Sequence, residues 1–207
     1  MKDYPSIPKL VATTPAYCFD KSDGSLIRAH WSRKKRGLTG KFGSRTQLID
    51  ETHLTLAKSI PLIKEQEDLL SKILYDKFKQ EEATLFFEFF GKSSFAGVHV
   101  QEEPHKSLLI DINLYKYGMI QPNEFVRQFS EKAETAPLLY YGNCNSDLVK
   151  SVQNGTLAGM TFEGVVCKTT RSKPSHPLTY FKIKSDAWIS KVKSLYSNDP
   201  KLLESLL

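Results

Sequence analysis

The chain has 207 residues, of which 40% are apolar and 25% charged, with 29 Lys+Arg against 23 Asp+Glu and a formal net charge of +6. This length suits one good-sized domain, and the composition excludes a disordered tail protein or a fibrous one. No apolar run approaches the ~18 residues of a membrane span, and Met1-Lys2-Asp3-Tyr4-Pro5 shows no apolar leader segment. Cys18, Cys144 and Cys167 are odd in number and far apart in sequence, which argues for a reducing compartment and against a disulfide framework or a zinc site.

In chain order, residues 16–21 and 25–31 read as strands around a turn at Asp23-Gly24. Residues 37–43, with three glycines among basic residues, read as a flexible loop, and 46–58 as a helix. A clearer helix runs from Pro61 to about Gln80, with Leu62, Ile63, Leu69, Leu70, Ile73 and Leu74 at helical spacing. Leu85–Gly91 is an aromatic-rich strand and Ser107–Ile112 a second apolar one. Helices are predicted over 122–134 and 146–153. Strands are predicted over 162–168 and 178–184, joined by a polar loop with Pro174 and Pro177. A last helix starts at Ser185, with Trp188, Val192 and Leu195 on one face. Strand-rich ends around a helical middle predict an α+β domain.

The charge is uneven. Between Asp23 and Asp50 there is no acid, but there are Arg28, Arg33, Lys34, Lys35, Arg36, Lys41 and Arg45. Between Glu163 and Asp186 lie Lys168, Arg171, Lys173, Lys182 and Lys184, again without an acid. Such stretches build a phosphate-binding surface if the fold brings them together, or are plain solvated loops if it does not.

Four local features carry chemistry. Glu88 stands among four phenylalanines on a strand, where a carboxylate needs a partner unless the strand is an edge that turns it to water. In Tyr180-Phe181-Lys182-Ile183-Lys184 the period of two sets both lysines on one face. That face holds an anion between the cations, or is the solvent side of an antiparallel strand. Lys21-Ser22-Asp23-Gly24 places a lysine at the end of an apolar strand before a turn. Glu163-Gly164-Val165-Val166 opens another apolar strand with an acid.

Taken in order, Lys-x-Asp-Gly, the strand with a central Glu, Glu-Gly-x-Val and Lys-x-Lys resemble the motif series of the covalent nucleotidyltransferases, and most of all phage-type ATP-dependent RNA ligases. The resemblance covers roughly residues 15–190. It implies an ATP-grasp-like nucleotidyltransferase domain, with antiparallel sheets flanked by helices. It also implies a three-step reaction: a lysine takes AMP from ATP, the AMP passes to a 5′-phosphate end, and a 3′-hydroxyl displaces it. Lys21 would be the nucleophile and must shed its proton to attack. Lys182 and Lys184 would hold the α-phosphate, and with Mg²⁺ (or Mn²⁺) supply the positive charge that lowers a neighbouring lysine's pKa. Glu163 would hold the metal, Glu88 a ribose hydroxyl, and Asp23 would complete the nucleotide pocket with Lys21. The family's arginine near ribose and phosphate is matched by Arg45, with Arg36 as competitor.

Two departures stand out. The strand after Glu88 offers no aromatic to stack an adenine, so Leu109 and Val165 are expected to form an aliphatic sandwich. The 23 residues after Lys184 are too few for a five-stranded oligonucleotide-binding barrel. This favours a small RNA ligase built as a single adenylation domain over residues 1–207, or a catalytic core whose other domain is absent. The expected partners are ATP and RNA ends (DNA ends as the alternative), with no membrane, for a monomer acting in the cytoplasm, of the host if phage-encoded. A minimal DNA ligase and a non-catalytic nucleic-acid-binding relative are the competing readings. The interval Arg28–Arg45 is expected to lie beside the AMP site.

Overall fold

A computed structural model describes residues 15–92, 103–171 and 179–199. The polar loop with Pro174 and Pro177 lies outside them. The chain divides into two compact units, one of Met1–Asp23 with Pro137–Leu207, the other of Gly24–Ala136. Each has its own antiparallel sheet.

The first unit's sheet has four strands: β1 (Ala16–Lys21), β8 (Leu138–Gly142), β9 (Gly164–Thr169) and β10 (Tyr180–Lys184), in the order β10-β9-β1-β8. Alternation gives it two different faces. Ala16, Cys18, Val165, Cys167, Phe181 and Ile183 turn to one side and form a core with Leu148 and Val152 of helix α4 (Ser146–Gln153). Asn145 caps that helix, its side chain accepting from the Leu148 amide at 2.9 Å. The other face carries Tyr17, Phe19 and Lys21 of β1, opposite Lys168, Val166 and Gly164 of β9. Helix α5 (Asp186–Leu195) follows β10 directly and buries Trp188 and Val192; Leu195 is exposed.

The second unit's sheet runs β4-β3-β2-β5-β6-β7. Its strands are β2 (Ser25–Ser32), β3 (Gly37–Gly43), β4 (Leu48–Ile49), β5 (Glu82–Phe90), β6 (Lys106–Leu114) and β7 (Gly118–Met119). Ile27, Ala29, Trp31, Leu85, Phe87 and Leu109 are buried, as are Ile63 of helix α1 (Ser59–Glu65) and Leu70, Ile73 and Leu74 of α2 (Glu67–Lys77). The Trp31 indole donates to the Ser71 hydroxyl at 3.1 Å and so ties α2 to the sheet. Helix α3 (Pro122–Phe125) runs into a π-helical turn over Val126–Ser130, shorter than the predicted helix.

Several predicted elements are corrected. Residues 37–43 are a paired strand, because glycine here serves close approach: a Cβ on Gly37 would meet a Glu67 carboxylate oxygen at 2.5 Å. Residues 46–58 hold a short strand and one 3₁₀ turn instead of a helix. The Asp50 carboxylate accepts from the Thr52 amide and the His53 ring from the Leu56 amide, and such local side-chain bonds compete with helix. The long helix breaks at Gln66, whose side chain donates to the Ser107 carbonyl at 2.9 Å. Cys18 and Cys167, far apart in sequence, face each other across β1 and β9 with sulfurs 2.8 Å apart, and all three cysteines are free.

Candidate active site

Pairing between β1, β9 and β10 assembles one charged cluster. Lys21 is the last residue of β1 and lies opposite Gly164, which in turn lies opposite Lys184. Glu163 immediately precedes β9 and is therefore set between two lysines from different strands. Its Oε2 is 2.8 Å from Lys21 Nζ and its Oε1 3.6 Å from Lys184 Nζ. Glu163 is only 3% exposed and Lys184 8%, so the carboxylate is a buried bridge.

The backbone explains why this geometry holds. Gly164 has φ +139°, and a Cβ there would sit 2.1 Å from the Ile183 carbonyl oxygen. Only glycine lets β10 come this close. Ser185 locks the other side: its amide donates to the Glu163 carbonyl at 2.9 Å and its hydroxyl to the Phe162 carbonyl at 2.6 Å. The same hydroxyl accepts from the Trp188 amide at 3.1 Å and caps α5. The helix that starts here turns the Trp188 ring under Lys184, whose Nζ lies 3.8 Å from the ring centroid.

Burial pulls the Lys184 ammonium down to about pKa 7. Glu163 opposes this, while Lys182 and Lys21 add to it by repulsion. Lys182 shares the strand face with Lys184 and is half-buried. A plain solvent face for this pair is ruled out by the burial of Lys184. Asp20 lies on the opposite face of β1, where burial pushes its carboxyl up and bonds from the Thr161 amide and hydroxyl partly offset that. Asp23 is buried two residues beyond Lys21.

Glu88 and Arg45 belong to the second unit. Glu88 is half-buried on β5, an interior strand, paired with Leu26 and Leu108. The edge-strand alternative is thereby excluded. Arg45 is exposed in the turn Ser44–Gln47, just past the Arg28–Gly43 pair. Arg36 stands in the turn that joins β2 to β3. Leu26 and Gly43 mark the end of the sheet where β2 begins, so Glu88 and Arg45 share that end and Arg36 takes the far one. Most of the basic interval therefore does not stay beside Ser25: β2 carries Arg33–Arg36 about 24 Å along the sheet.

The aliphatic sandwich is corrected as well. Val165 and Leu109 are both 0% exposed in the cores of their own units. Val165 pairs with Asp20 and so faces away from Lys21; the β9 residue on the Lys21 face is Val166. Ser185, Trp188 and Lys168 were not singled out as site residues from sequence. Ser-Asp directly after a strand is a capping signature and was the available signal for Ser185. Lys168 is buried, its ammonium 5.0 Å from the Phe19 ring centroid and 5.9 Å from that of Tyr180.

No family model and no curated protein matches the chain. Solved structures of Naegleria gruberi RNA ligase do. A variant without ligand superposes with TM-score 0.65 at 17% identity, over 93% of this chain and 57% of that one. A variant with AMP and Mn gives 0.65 at 18% identity, and one with ATP and Mn 0.64 at 16%, each over 92% of this chain and 57% of the other. The chain thus shares the mixed α/β, antiparallel-sheet fold of these structures and spans 57% of their length.

Proposed function

We propose that this chain is the adenylylation domain of an ATP-dependent RNA ligase. The observation that carries the proposal is the buried carboxylate of Glu163 bridging Lys21 and Lys184. The solved RNA ligases bound to ATP or AMP with Mn share its fold and support the reading.

In this reading the neutral Lys21 amine attacks the α-phosphorus of ATP. A P–N bond forms, the bond to the pyrophosphate oxygen breaks, and the amine loses its proton. Glu163, in contact with Nζ at 2.8 Å, orients the amine and is placed to accept that proton. Lys182 and Lys184 come from the adjoining strand face and stabilise negative charge gathering on the phosphate oxygens. The approach of a phosphate favours the charged form of Lys184, so the nucleotide itself recruits the proton that burial discourages. AMP then passes from Lys21 to a 5′-phosphate, and a 3′-hydroxyl displaces it. Glu88 would take a ribose hydroxyl, and Asp23 and Arg45 would complete the nucleotide contacts.

The donor set fits Mg²⁺ or Mn²⁺. No group of three or more His, Cys, Asp or Glu gathers among the described residues. Glu163 is a single hard carboxylate, and one or two carboxylates with phosphate oxygens and water are what Mg²⁺ takes. The cation, when bound there, would neutralise phosphate charge.

The test is incubation with α-labelled ATP and Mg²⁺, followed by a denaturing gel. The protein is expected to carry label, and Lys21→Ala to carry none while keeping its thermal transition. Label on Lys21→Ala would mean another nucleophile. Labelled protein is then offered nicked RNA and nicked DNA to identify the preferred strand.

A further inference from the structure

The end of the second unit's sheet remote from Ser25 gathers exposed cations and exposed aromatics. The turn Arg33–Arg36 joins β2 to β3, and Tyr115-Lys116-Tyr117 joins β6 to β7. Between them β5 begins at Glu82. The Arg33 amide donates to the Glu81 carbonyl at 2.8 Å and the Tyr115 amide to the Glu82 carbonyl at 3.0 Å, which places both turns in register. They stand two strand spacings apart, about 10 Å.

Lys34, Lys35, Arg36 and Lys116 are exposed. Tyr115 is 55% and Tyr117 65% exposed, unusual for rings that a core would bury. Arg36 (φ 55°) and Lys116 (φ 67°) both hold the left-handed conformation that normally falls to Gly or Asn. A long cation at each strained turn is a costly choice for mere connection. Arg33 is already spent: its guanidinium donates to the Tyr75 and Phe78 carbonyls and covers the Tyr75 ring at 4.0 Å. Arg36 also lies over the Tyr75 ring at 5.8 Å and Lys116 over the Tyr115 ring at 5.4 Å, and the acids near these turns include Asp76 beside Tyr75, Glu81 and Glu82.

We propose that this end of the sheet docks single-stranded RNA. Lys34, Lys35, Arg36 and Lys116 take phosphates, and Tyr115 and Tyr117 stack unpaired bases. The surface lies about 24 Å along β2 from Ser25. The identity of the polymer rests on the ligase reading; the surface itself uses none of the adenylylation residues.

The test titrates a fluorescent 12-nucleotide oligouridylate, and separately a 12-base-pair RNA duplex, by anisotropy at several salt concentrations. The triple variant Lys34→Ser/Lys35→Ser/Lys116→Asn is expected to weaken binding and to lower the salt slope by about 2, at roughly 0.7 per lost single-strand contact. Tyr115→Ser/Tyr117→Ser is expected to lose at least about fivefold per ring on the oligouridylate with an unchanged slope. Its duplex affinity should not change, because paired bases are not free to stack. Unchanged oligouridylate binding in both variants overturns the proposal. An equal loss on duplex and single strand in the tyrosine variant overturns it too, since that is a general polyanion surface. Labelling by ATP is measured on the same preparations. Unlabelled wild type would sink the ligase reading alone, and the RNA titration would still decide the surface.

Discussion

Replacing Glu163 by Gln keeps the side chain's shape and removes its charge. In the native protein this carboxylate lies 2.8 Å from one ammonium and 3.6 Å from another. At an effective dielectric of about 20 the gross attractions are about 6 and about 5 kcal/mol. Desolvation offsets much of that, and removing one partner of a buried pair costs about 3–5 kcal/mol net. Lys184 can avoid the loss by shedding its proton. Its folded pKa of about 7 lies below the ordinary 10.5. Between those values the unfolded chain binds more protons, so stability rises as pH climbs through that window, and below about 7 the buried ammonium is a standing cost. Glu163 is what holds the value up. Without it the value falls further, and Glu163→Gln should therefore cost most below pH 7. Urea unfolding at about pH 6 is expected to show a loss of about 3–5 kcal/mol, and at about pH 9 a clearly smaller one. Adding Lys184→Met should recover most of the loss at the lower pH. A loss of equal size at both pH values, or none at pH 6, would refute the bridging role.

Two further outcomes follow from the same strands. Lys182→Ala and Lys184→Ala should each slow the transfer of AMP to the protein by at least about a hundredfold, comparable to losing one strong oxyanion donor, as read by single-turnover labelling; normal rates in both would leave the pair without a role. Gly164→Ala should destabilise the first unit by about 1–3 kcal/mol in thermal unfolding, because β9 and β10 must separate to admit the methyl, and labelling should fall with it; a native transition temperature would contradict the close approach to Ile183.

The elements that sequence periodicity found were those whose own side chains decide the structure. Strand β5 is nearly continuous Phe and Leu, and α5 opens with Ser-Asp and buries Trp188 and Val192. The elements it missed are decided by neighbours. Strand β3 reads as loop because three of its seven residues are glycine, and it pairs because β2 and β4 flank it. Gln66 has no helix-breaking character of its own, and at the break its side chain donates to the Ser107 carbonyl of β6, a partner distant in sequence. At the candidate site, Lys21, Glu163, Lys182 and Lys184 stand out in the sequence because short motifs carry them. Their contacts depend on a positive φ at Gly164 and a cap at Ser185, which no periodicity reports. The basic interval was legible as charge alone. Its division between two ends of a sheet required knowing that residues 37–43 form a strand.

The first unit is discontinuous, with all of Gly24–Ala136 inserted between β1 and β8. On the ribosome, Lys21 therefore emerges long before its partners. Glu163 follows 142 positions later and Lys184 later still. At roughly 5–20 residues per second, on the order of ten seconds separate Lys21 from Glu163 and Lys184. Through that interval the second unit, contiguous in sequence, is free to fold first. A nascent or truncated chain lacking β10 would display the lysine without its bridging carboxylate clamped in place. The bridged cluster thus becomes a property of the finished first unit, and a chain broken off during translation would never assemble it.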